Sequence, residues 1–197
     1  MKELIIMILV AIFSLITQKS IGQEKGTNEF NVNIGAFTSN DIFNIASDVA
    51  TTTITGGLIR SNTTKSTPQV GITYRHAVAD RWMVFTDVSY QKFKTEYTTA
   101  DIKSGDITQH FITAGLGTDY RYISNGFIQV YSGASVAYSV ILDQDNMQKD
   151  KQDMDRSGQW NFQVNALGLR VGGDLAAFLE LGVGYKGVVN LGVSYQF

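Results

Sequence analysis

The fold of this chain is decided by the segment Asn190-Leu191-Gly192-Val193-Ser194-Tyr195-Gln196-Phe197, in which apolar residues alternate strictly with small or polar ones. Successive side chains of a β-strand point to opposite faces, so the apolar side chains of this segment share one face. A water-soluble barrel would turn that face inward, whereas a membrane barrel turns it outward to lipid. Because the other end of the chain has the features of an export signal, we interpret the segment as a lipid-facing strand.

The N-terminal segment is typical of a secretory signal peptide. Leu4 to Thr17 is an uncharged, largely apolar run that follows the positive charge of Lys2. The run is shorter than the roughly 18 apolar residues that a membrane-spanning helix needs. We therefore expect a signal peptide over residues 1–22, cleaved before Gln23, and a single domain over residues 23–197. A short buried or interfacial helix is the alternative.

The composition favours a sheet protein and excludes several kinds of function. The chain has 19 glycines, one proline and many β-branched and aromatic residues, as strands prefer. It has no cysteine, which excludes a disulfide scaffold, a lipid-anchored N-terminal cysteine, thiol catalysis and Cys-ligated metal. The net charge is −2, and about −3 without residues 1–22, so nucleic acid, which needs a basic face, is not an expected partner. No later segment suits a spanning helix, so a membrane-embedded chain must form a closed barrel.

Eight segments with the alternation of strands can be recognised. They are Glu29–Phe37, Gln69–Ala79, Trp82–Tyr90, Ile107–Tyr122, Ile128–Val140, Trp160–Val171, a segment ending at Tyr185 and a segment ending at Phe197. The alternation changes phase near Ala166 and Leu167, which indicates a β-bulge, since one extra residue exchanges the two faces.

The connections between these segments alternate in length. Residues 38–66, 95–106 and 142–159 are long connections, and the others are short. Membrane barrels with both termini in the periplasm have short periplasmic turns and longer external loops. The sequence therefore predicts an all-β fold, an eight-stranded antiparallel up-and-down transmembrane β-barrel. A soluble lipocalin-like or avidin-like barrel is the alternative.

Aromatic residues fall near both ends of the predicted strands. One group lies near the short turns and another near the long connections: Trp82, Tyr120, Tyr122, Phe127, Tyr195 and Phe197 in the first, and Tyr90, Tyr138, Trp160 and Tyr185 in the second. Two such belts are expected where aromatic rings meet the lipid headgroups on each side of a membrane.

Four segments of the chain carry a resemblance to known proteins: Leu167–Gly172, Phe178–Gly187 and Asn190–Phe197 in the C-terminal half, and Trp82–Tyr90. The first three resemble the closing hairpins, and the last an earlier strand, of the outer-membrane β-barrel domain family of Gram-negative bacteria, which includes small OmpA/OmpX-type and PorT-like barrels. The resemblance implies a location in the cell outer membrane. The pattern Tyr195-x-Phe197 is similar to the C-terminal signal read by the barrel-assembly machinery, so the resemblance implies that machinery as a partner. These motifs identify architecture rather than activity, because many members of the family have no assigned biochemical role.

Six charged residues fall on the inferred inner faces of the strands. They are the cations Arg75, Arg121 and Arg170 and the anions Asp87, Asp119 and Glu180. An eight-stranded barrel is only wide enough for its own side chains to fill, and buried charges are tolerated only when they are paired. We therefore predict a lumen charge network that plugs the barrel, with Arg170 near Glu180. A selective ion path is the alternative.

The sequence offers little support for catalysis or metal binding. Its two histidines, His76 and His110, both have lipid-facing parity. Lipid-modifying barrel enzymes need a serine and an acid beside the histidine. Phe111-Ile112 follow His110, so no serine stands two residues after it. The run Asp153-x-Asp155-x-Ser157-Gly158 begins like a calcium loop, but Val164 stands where a bidentate Glu belongs. We therefore expect no catalytic residue, no cofactor and no metal.

The sequence as a whole predicts a non-enzymatic outer-membrane barrel with a structural or surface-binding role through its long external loops. Its expected partners are outer-membrane lipid and lipopolysaccharide, whose phosphates could meet Lys92 and Lys94 near the outer rim. A narrow pore, a lipid A-modifying enzyme and an auxiliary factor in secretion or surface assembly are the alternatives, the last by analogy alone.

Overall fold

A computed structural model of the chain describes residues 25–42, 53–54, 59–99, 102–145 and 155–197. These ranges contain nine β-segments: β1 (Asn28–Ala36), β2 (Ile59–Ser66), β3 (Gln69–Ala79), β4 (Trp82–Thr99), β5 (Ile102–Ser124), β6 (Ile128–Asp145), β7 (Asp155–Gly172), β8 (Leu175–Gly184) and β9 (Val189–Gln196). The signal peptide expected at residues 1–22 lies outside the described residues. Among those that are described, no helix is both long and apolar enough to cross a membrane.

The strands close into a ring. Each strand from β3 to β9 pairs antiparallel with the next, and β1 joins the two ends of this series by pairing with β3 and β9. Segments β2 and β3 both pair with β4, so together they form one of the eight strands of the barrel. The strand is interrupted at Thr67-Pro68, because proline has no N–H to donate to the neighbouring strand. The described strands therefore form a closed, eight-stranded up-and-down barrel, which confirms the predicted fold class.

The barrel is apolar outside and polar inside. On β1, Phe30, Val32 and Ile34 are 43%, 49% and 41% exposed, while Asn31 and Asn33 between them are 1% and 6% exposed. The same alternation continues around the ring. A soluble barrel would bury the apolar set, so the lipocalin-like or avidin-like alternative is wrong. An apolar exterior on a closed barrel with a polar interior is the arrangement that a bilayer requires.

Most of the aromatic side chains predicted to form the two belts are exposed. Trp82, Tyr122, Tyr195 and Phe197 are exposed near the short turns, and Tyr90, Tyr138 and Trp160 are exposed toward the other end. Tyr120 and Phe127 are partly exposed. These positions agree with the predicted belts, with the exception of Tyr185, which is buried.

The predicted bulge is present in β7. Ala166 has no partner on either neighbouring strand. Asn165 faces Gly133 of β6 and Gly182 of β8; the pairing with β8 resumes at Leu167 and the pairing with β6 at Gly168. Ala166 and Leu167 are consequently both exposed, and the inward face continues with Gly168. The bulge is what brings Arg170 to the interior.

The strands β4 to β7 are longer than the sequence predicted. They have 18, 23, 18 and 18 residues, against 9, 10 and 8 for β1, β8 and β9. Most of the predicted loop 95–106 is therefore a continuation of the β4–β5 hairpin, and the predicted loops 38–66 and 142–159 also contain strand. The prediction was wrong here because polar residues on both faces of a segment suggest a loop. Outside a membrane, however, strands with polar side chains on both faces are stable, above all when they are rich in Thr.

Deleting a single residue tests the bulge. Removal of Ala166 leaves every other strand partner in place, because Ser132 would then face Leu167 directly. We expect this variant to fold into a barrel with a resistance to heat and SDS close to that of the parent. Removal of Leu179 from β8, which has no bulge in its pairing with β9, in contrast exchanges the faces of the residues beyond it and should drive Glu180 toward lipid. The fraction of folded, heat-modifiable protein on unheated SDS gels compares the two. Equal folding yields for both deletions would contradict the assignment of Ala166 as the extra residue.

Candidate functional site

The interior of the barrel holds four cations and four anions in the part of the chain that the structure describes. They are Arg75, Arg121, Arg170 and Lys186, and Glu29, Asp87, Asp119 and Glu180, all at most 3% exposed. The set includes all six residues named from the sequence, together with Glu29 and Lys186. The charges sum to zero, as burial in a medium of low dielectric requires.

Arg75 on β3 is the centre of the larger of two clusters. Its Nε donates to Asp119 Oδ2 at 2.8 Å, its Nη1 to Glu29 Oε1 at 3.1 Å and its Nη2 to Glu180 Oε1 at 2.7 Å. The three carboxylates belong to β5, β1 and β8. The planar guanidinium fork carries five N–H donors, so a single side chain connects strands on different sides of the lumen.

Glu29 is the second branching point of this cluster. Its Oε1 accepts from Arg75, while its Oε2 accepts from Arg121 Nη2 at 3.0 Å and lies 3.5 Å from Arg170 Nε. Sequence reasoning missed Glu29 because it stands at the edge of the predicted first strand. Its position in the alternation, on the same face of the strand as Asn31 and Asn33, was the signal that could have identified it.

Arg170 and Glu180 lie on the neighbouring strands β7 and β8, but no ion pair joins them among the described residues. Glu180 faces Gly168 across the β7–β8 ladder, and Arg170 faces Phe178, two residues nearer the short turn. Arg170 instead donates from Nε to Ser194 Oγ at 2.8 Å and from Nη2 to two turn carbonyls, while Glu180 also accepts from Tyr131 and Asn190. Register at the bulge, which sequence alone does not specify, determines these partners.

The second cluster lies farther from the short turns and is built on Asp87. Lys186 Nζ is 2.8 Å from Asp87 Oδ2, and the Tyr185 hydroxyl lies within 2.7 Å and 2.9 Å of the two carboxylate oxygens. Lys186 Nζ also lies 4.5 Å from the centroid of the Phe85 ring, within the range of a cation–π contact. Sequence reasoning assigned Lys186 to a turn and Tyr185 to the outer belt. Gly184 has a φ of 144°, and this left-handed backbone ends the alternation and turns both side chains inward.

Inward-facing glycines make room for the large side chains. A Cβ on Gly168 would stand 2.3 Å from the Tyr131 ring, and one on Gly133 would stand 1.9 Å from Asp119 Oδ1. Neither distance is possible for a real side chain. The glycines therefore allow Tyr131 and Asp119 to reach the centre of a narrow barrel.

The segment after β1 folds into the opposite end of the lumen. Phe37 has a φ of 58°, and the chain turns there so that Thr38 and Asn40 are buried. Thr38 Oγ1 donates to Gln91 Oε1 at 2.9 Å, and Gln159 Nε2 donates to Asn40 Oδ1 at 3.2 Å. This inward turn forms a polar layer above the charged clusters.

The histidines contact residues outside these clusters, and the calcium-like motif begins at Asp153. His76 Nδ1 is 2.9 Å from Asn28 Oδ1, and His110 Nδ1 is 2.7 Å from the Tyr90 hydroxyl. Asp153 lies outside the described residues. Within the described ranges, no group of three or more His, Cys, Asp or Glu side chains has the geometry to hold a metal ion.

Comparison with known proteins shows similarity in fold. No protein-family model matches the chain, and no curated protein matches it. Among solved structures, the chain is similar to the outer membrane protein OprG from Pseudomonas aeruginosa, with a TM-score of 0.50 and 15% identity over 89% of this chain and 98% of that chain. It also matches the N-terminal β-barrel domain of Pseudomonas aeruginosa OprF, with a TM-score of 0.47 and 17% identity over 89% of this chain and 100% of that chain. A third match is Ail, the attachment invasion locus protein of Yersinia pestis, in complex with the heparin analogue sucrose octasulfate, with a TM-score of 0.48 and 12% identity over 88% of this chain and 99% of that chain. The similarity to OprG shows that the fold is that of an outer-membrane barrel protein.

Replacing Arg75 by Met tests the larger cluster. The substitution leaves three buried carboxylates without their shared cation, and breaking a buried ion pair from one side costs about 3–5 kcal/mol. We expect a loss of that size in the free energy of unfolding, measured by urea titration in lipid vesicles with tryptophan fluorescence. Arg81→Met, at an exposed position in the β3–β4 turn, is the matched control and should change stability by less than about 0.5 kcal/mol. Similar effects of the two substitutions would contradict the central role of Arg75.

A double-mutant cycle tests the pairing of Lys186 with Asp87. Lys186→Met and Asp87→Asn each leave a buried group without its partner, so the double variant should lose less stability than the two single variants together. The expected interaction energy is about 1–3 kcal/mol. Lys94 and Asp106 lie 3.3 Å apart at a more exposed position, and the same cycle there should give less than about 1 kcal/mol. Additive effects at positions 87 and 186 would show that the contact contributes nothing.

Proposed function

We propose that this chain is an integral protein of the cell outer membrane with a plugged lumen, and that it has a structural or surface-binding role outside the membrane rather than catalytic activity. The observation that carries the proposal is the balanced charge network in the lumen. Because this network occupies the lumen, the protein acts through its apolar exterior and through the part of the chain that lies beyond the membrane.

Three levels of contact support a plugged lumen. Arg75 reaches carboxylates on three strands, and Asp87, Tyr185 and Lys186 form a second cluster nearer the outer end. Thr38, Asn40 and Gln91 add a polar layer beyond it. An eight-stranded barrel has room for little more than its own side chains, so these layers leave no wide path for ions.

The unequal strand lengths support a surface role. A bilayer is spanned by about 9–11 tilted residues per strand, and β5 has 23. The excess residues of β4 to β7 lie on the side of the long connections, and β2 pairs with the outer part of β4. These segments form a sheet that projects from one side of the barrel, as a platform for a partner or for neighbouring surface molecules.

The surroundings of the histidines support the absence of catalysis. The ring nitrogens described above contact the Asn28 amide and the Tyr90 phenol, whereas an acyl-transfer site needs a serine nucleophile and an orienting acid. Both contacts are those of amphipathic residues near a membrane boundary. Unchanged lipid A acylation in a strain lacking the gene is the expected result.

Export and insertion complete the proposal. A signal peptide over residues 1–22 would direct the chain across the inner membrane, and the barrel-assembly machinery would recognise Tyr195 and Phe197. Their rings are exposed and stack with centroids 5.8 Å apart, so both are accessible to another protein. Outer-membrane lipid and lipopolysaccharide would surround the inserted barrel. Copurification of partners from membranes would distinguish a binding platform from an auxiliary factor in secretion.

Planar-bilayer recordings test the plugged lumen. We expect the reconstituted protein to give no stepwise conductance in the range of open pores, because the charged clusters occupy the lumen. A Thr38→Ala/Asn40→Ala variant should also remain closed, since it removes only the outer polar layer. A known porin, reconstituted in parallel, shows that the assay detects a pore. Stepwise currents from the unmodified protein would overturn the proposal in favour of a narrow pore.

A further inference from the structure

Lys186 and Asp87 bring an amine and a carboxyl group into contact inside the second cluster of the lumen. Lys186 Nζ lies 2.8 Å from Asp87 Oδ2, and the two side chains are 1% and 2% exposed. In the described part of the chain Nζ has no hydrogen-bond partner, so the contact has the distance of an ion pair without the alignment of a hydrogen bond. An ion pair that is buried without a full set of hydrogen bonds is costly.

The backbone holds both members of this pair in place. Asp87 lies in the middle of β4, which is paired on both sides. Lys186 lies between Gly184 and Gly187, whose φ angles are 144° and 100°, and glycine adopts such angles without strain. The Lys186 backbone N–H donates to Gln163 Oε1 at 2.9 Å. Two reacting groups that are held in a productive geometry behave as if one were present at about 10⁵–10⁸ M.

The surroundings of the pair supply a hydrogen-bond donor and keep it away from solvent. The Tyr185 hydroxyl donates to the Asp87 carboxylate, 2.9 Å from Oδ1 and 2.7 Å from Oδ2. Lys186 Nζ lies 4.5 Å from the centroid of the Phe85 ring, and Tyr185 and Phe85 are both buried. A donor at a carboxyl oxygen stabilises the negative charge that develops there when a nucleophile adds to the carbon.

We propose that Lys186 and Asp87 condense into an isopeptide bond, which joins β4 covalently to the turn between β8 and β9. Nζ attacks Asp87 Cγ, a C–N bond forms, and the bond from Cγ to one carboxylate oxygen breaks. That oxygen leaves as water with two of the three ammonium protons, and the third proton stays on the amide nitrogen. The ion pair and the amide therefore differ by one water, and no other reactant is needed. The amide removes one buried cation and one buried anion, so the lumen stays neutral.

The other ion pairs lack one of these conditions. The three arginines of the lumen carry guanidinium groups, which stay protonated in proteins, whereas lysine amines serve as nucleophiles. Among the residues that the structure describes, Lys186 is the one buried lysine. Lys94 and Asp106 lie 3.3 Å apart, but their side chains are 36% and 22% exposed, and contact with water favours the separate ions.

Tryptic peptide mapping of the full-length protein, purified from membranes and then denatured, tests the bond. Without the bond, trypsin cleaves after Lys186 and releases Asp87 in a peptide of residues 82–92. With the bond, cleavage after Lys186 is blocked, and residues 82–92 remain attached to residues 171–197 with the mass of one water lost. We expect the linked peptide in most chains, with tandem mass spectra that locate the link at Asp87 and Lys186. Cleavage after Lys186 and recovery of the separate peptides from the parent protein would overturn the proposal.

Two variants test the chemistry of the site. Lys186→Arg keeps a cation beside Asp87 but removes the amine, so its map should contain only the separate peptides. Tyr185→Phe removes the donor to the carboxylate and should slow linking during refolding by about 10²–10³-fold, the effect of losing one such donor. Linking at the parent rate in Tyr185→Phe would overturn the role given to this hydroxyl.

The exposed pair of Lys94 and Asp106 is the control within the same digest. Both residues should appear in unlinked peptides, because contact without burial leaves the ions stable in water. A link at this pair as well would overturn the assignment of bond formation to the buried site. The peptide map is independent of conductance, so failure here and failure of the plugged-lumen proposal are distinguishable.

Discussion

The need to satisfy the polar backbone in hydrocarbon determines this structure. A sheet can lie in lipid only when its edges are paired, so β1 must meet β9 and the chain must close. Closure then fixes the interior, because alternate residues of every strand point into a lumen that is only as wide as its side chains. With apolar residues facing lipid, polar and charged residues must face one another, and Arg75 meets carboxylates 44, 46 and 105 residues away in the chain. The long-range contacts of the lumen therefore follow from the membrane exterior.

The size of the inner side chains is the second constraint. Arginine and tyrosine cannot all occupy neighbouring positions in a narrow barrel, and the sequence compensates with glycine where they converge. Gly168 lies under the Tyr131 ring, and a Cβ on Gly115 would stand 2.5 Å from the Tyr185 hydroxyl. Glycine weakens an isolated strand. Here each strand is hydrogen-bonded to a strand on either side, and the absence of a Cβ allows the charged side chains of the lumen to approach one another closely. Much of the glycine in this chain is thus explained by packing within the lumen rather than by turns.

The sequence was informative where the physics is local. Side-chain parity is fixed by the backbone, so alternation predicted the strands, the inward direction of Asp119 and even the phase change at Ala166. The choice of partners depends on strand register and on reach across the lumen. A linear pattern contains neither, so the contact of Arg170 with Glu29 was not predicted. Lys186 was missed for a related reason: the left-handed backbone at Gly184 interrupts the alternation from which parity is inferred. Residues beyond the membrane have polar side chains on both faces, so the outer ends of β4 to β7 resembled loops.

The difference in strand length also determines what a partner would meet. At about 3.4 Å per residue the 23 residues of β5 extend to about 75 Å, whereas a strand tilted by about 45° crosses 30 Å of hydrocarbon within about 42 Å. About 30 Å of β5, measured along the strand, therefore lies beyond the hydrocarbon core, mostly on the side of the long connections. This sheet is continuous with the barrel through unbroken pairing of β5 with β6 as far as Asp145, so it inherits the orientation of the barrel. A partner that bound on this side would therefore meet strands whose pairing continues directly from the wall of the barrel.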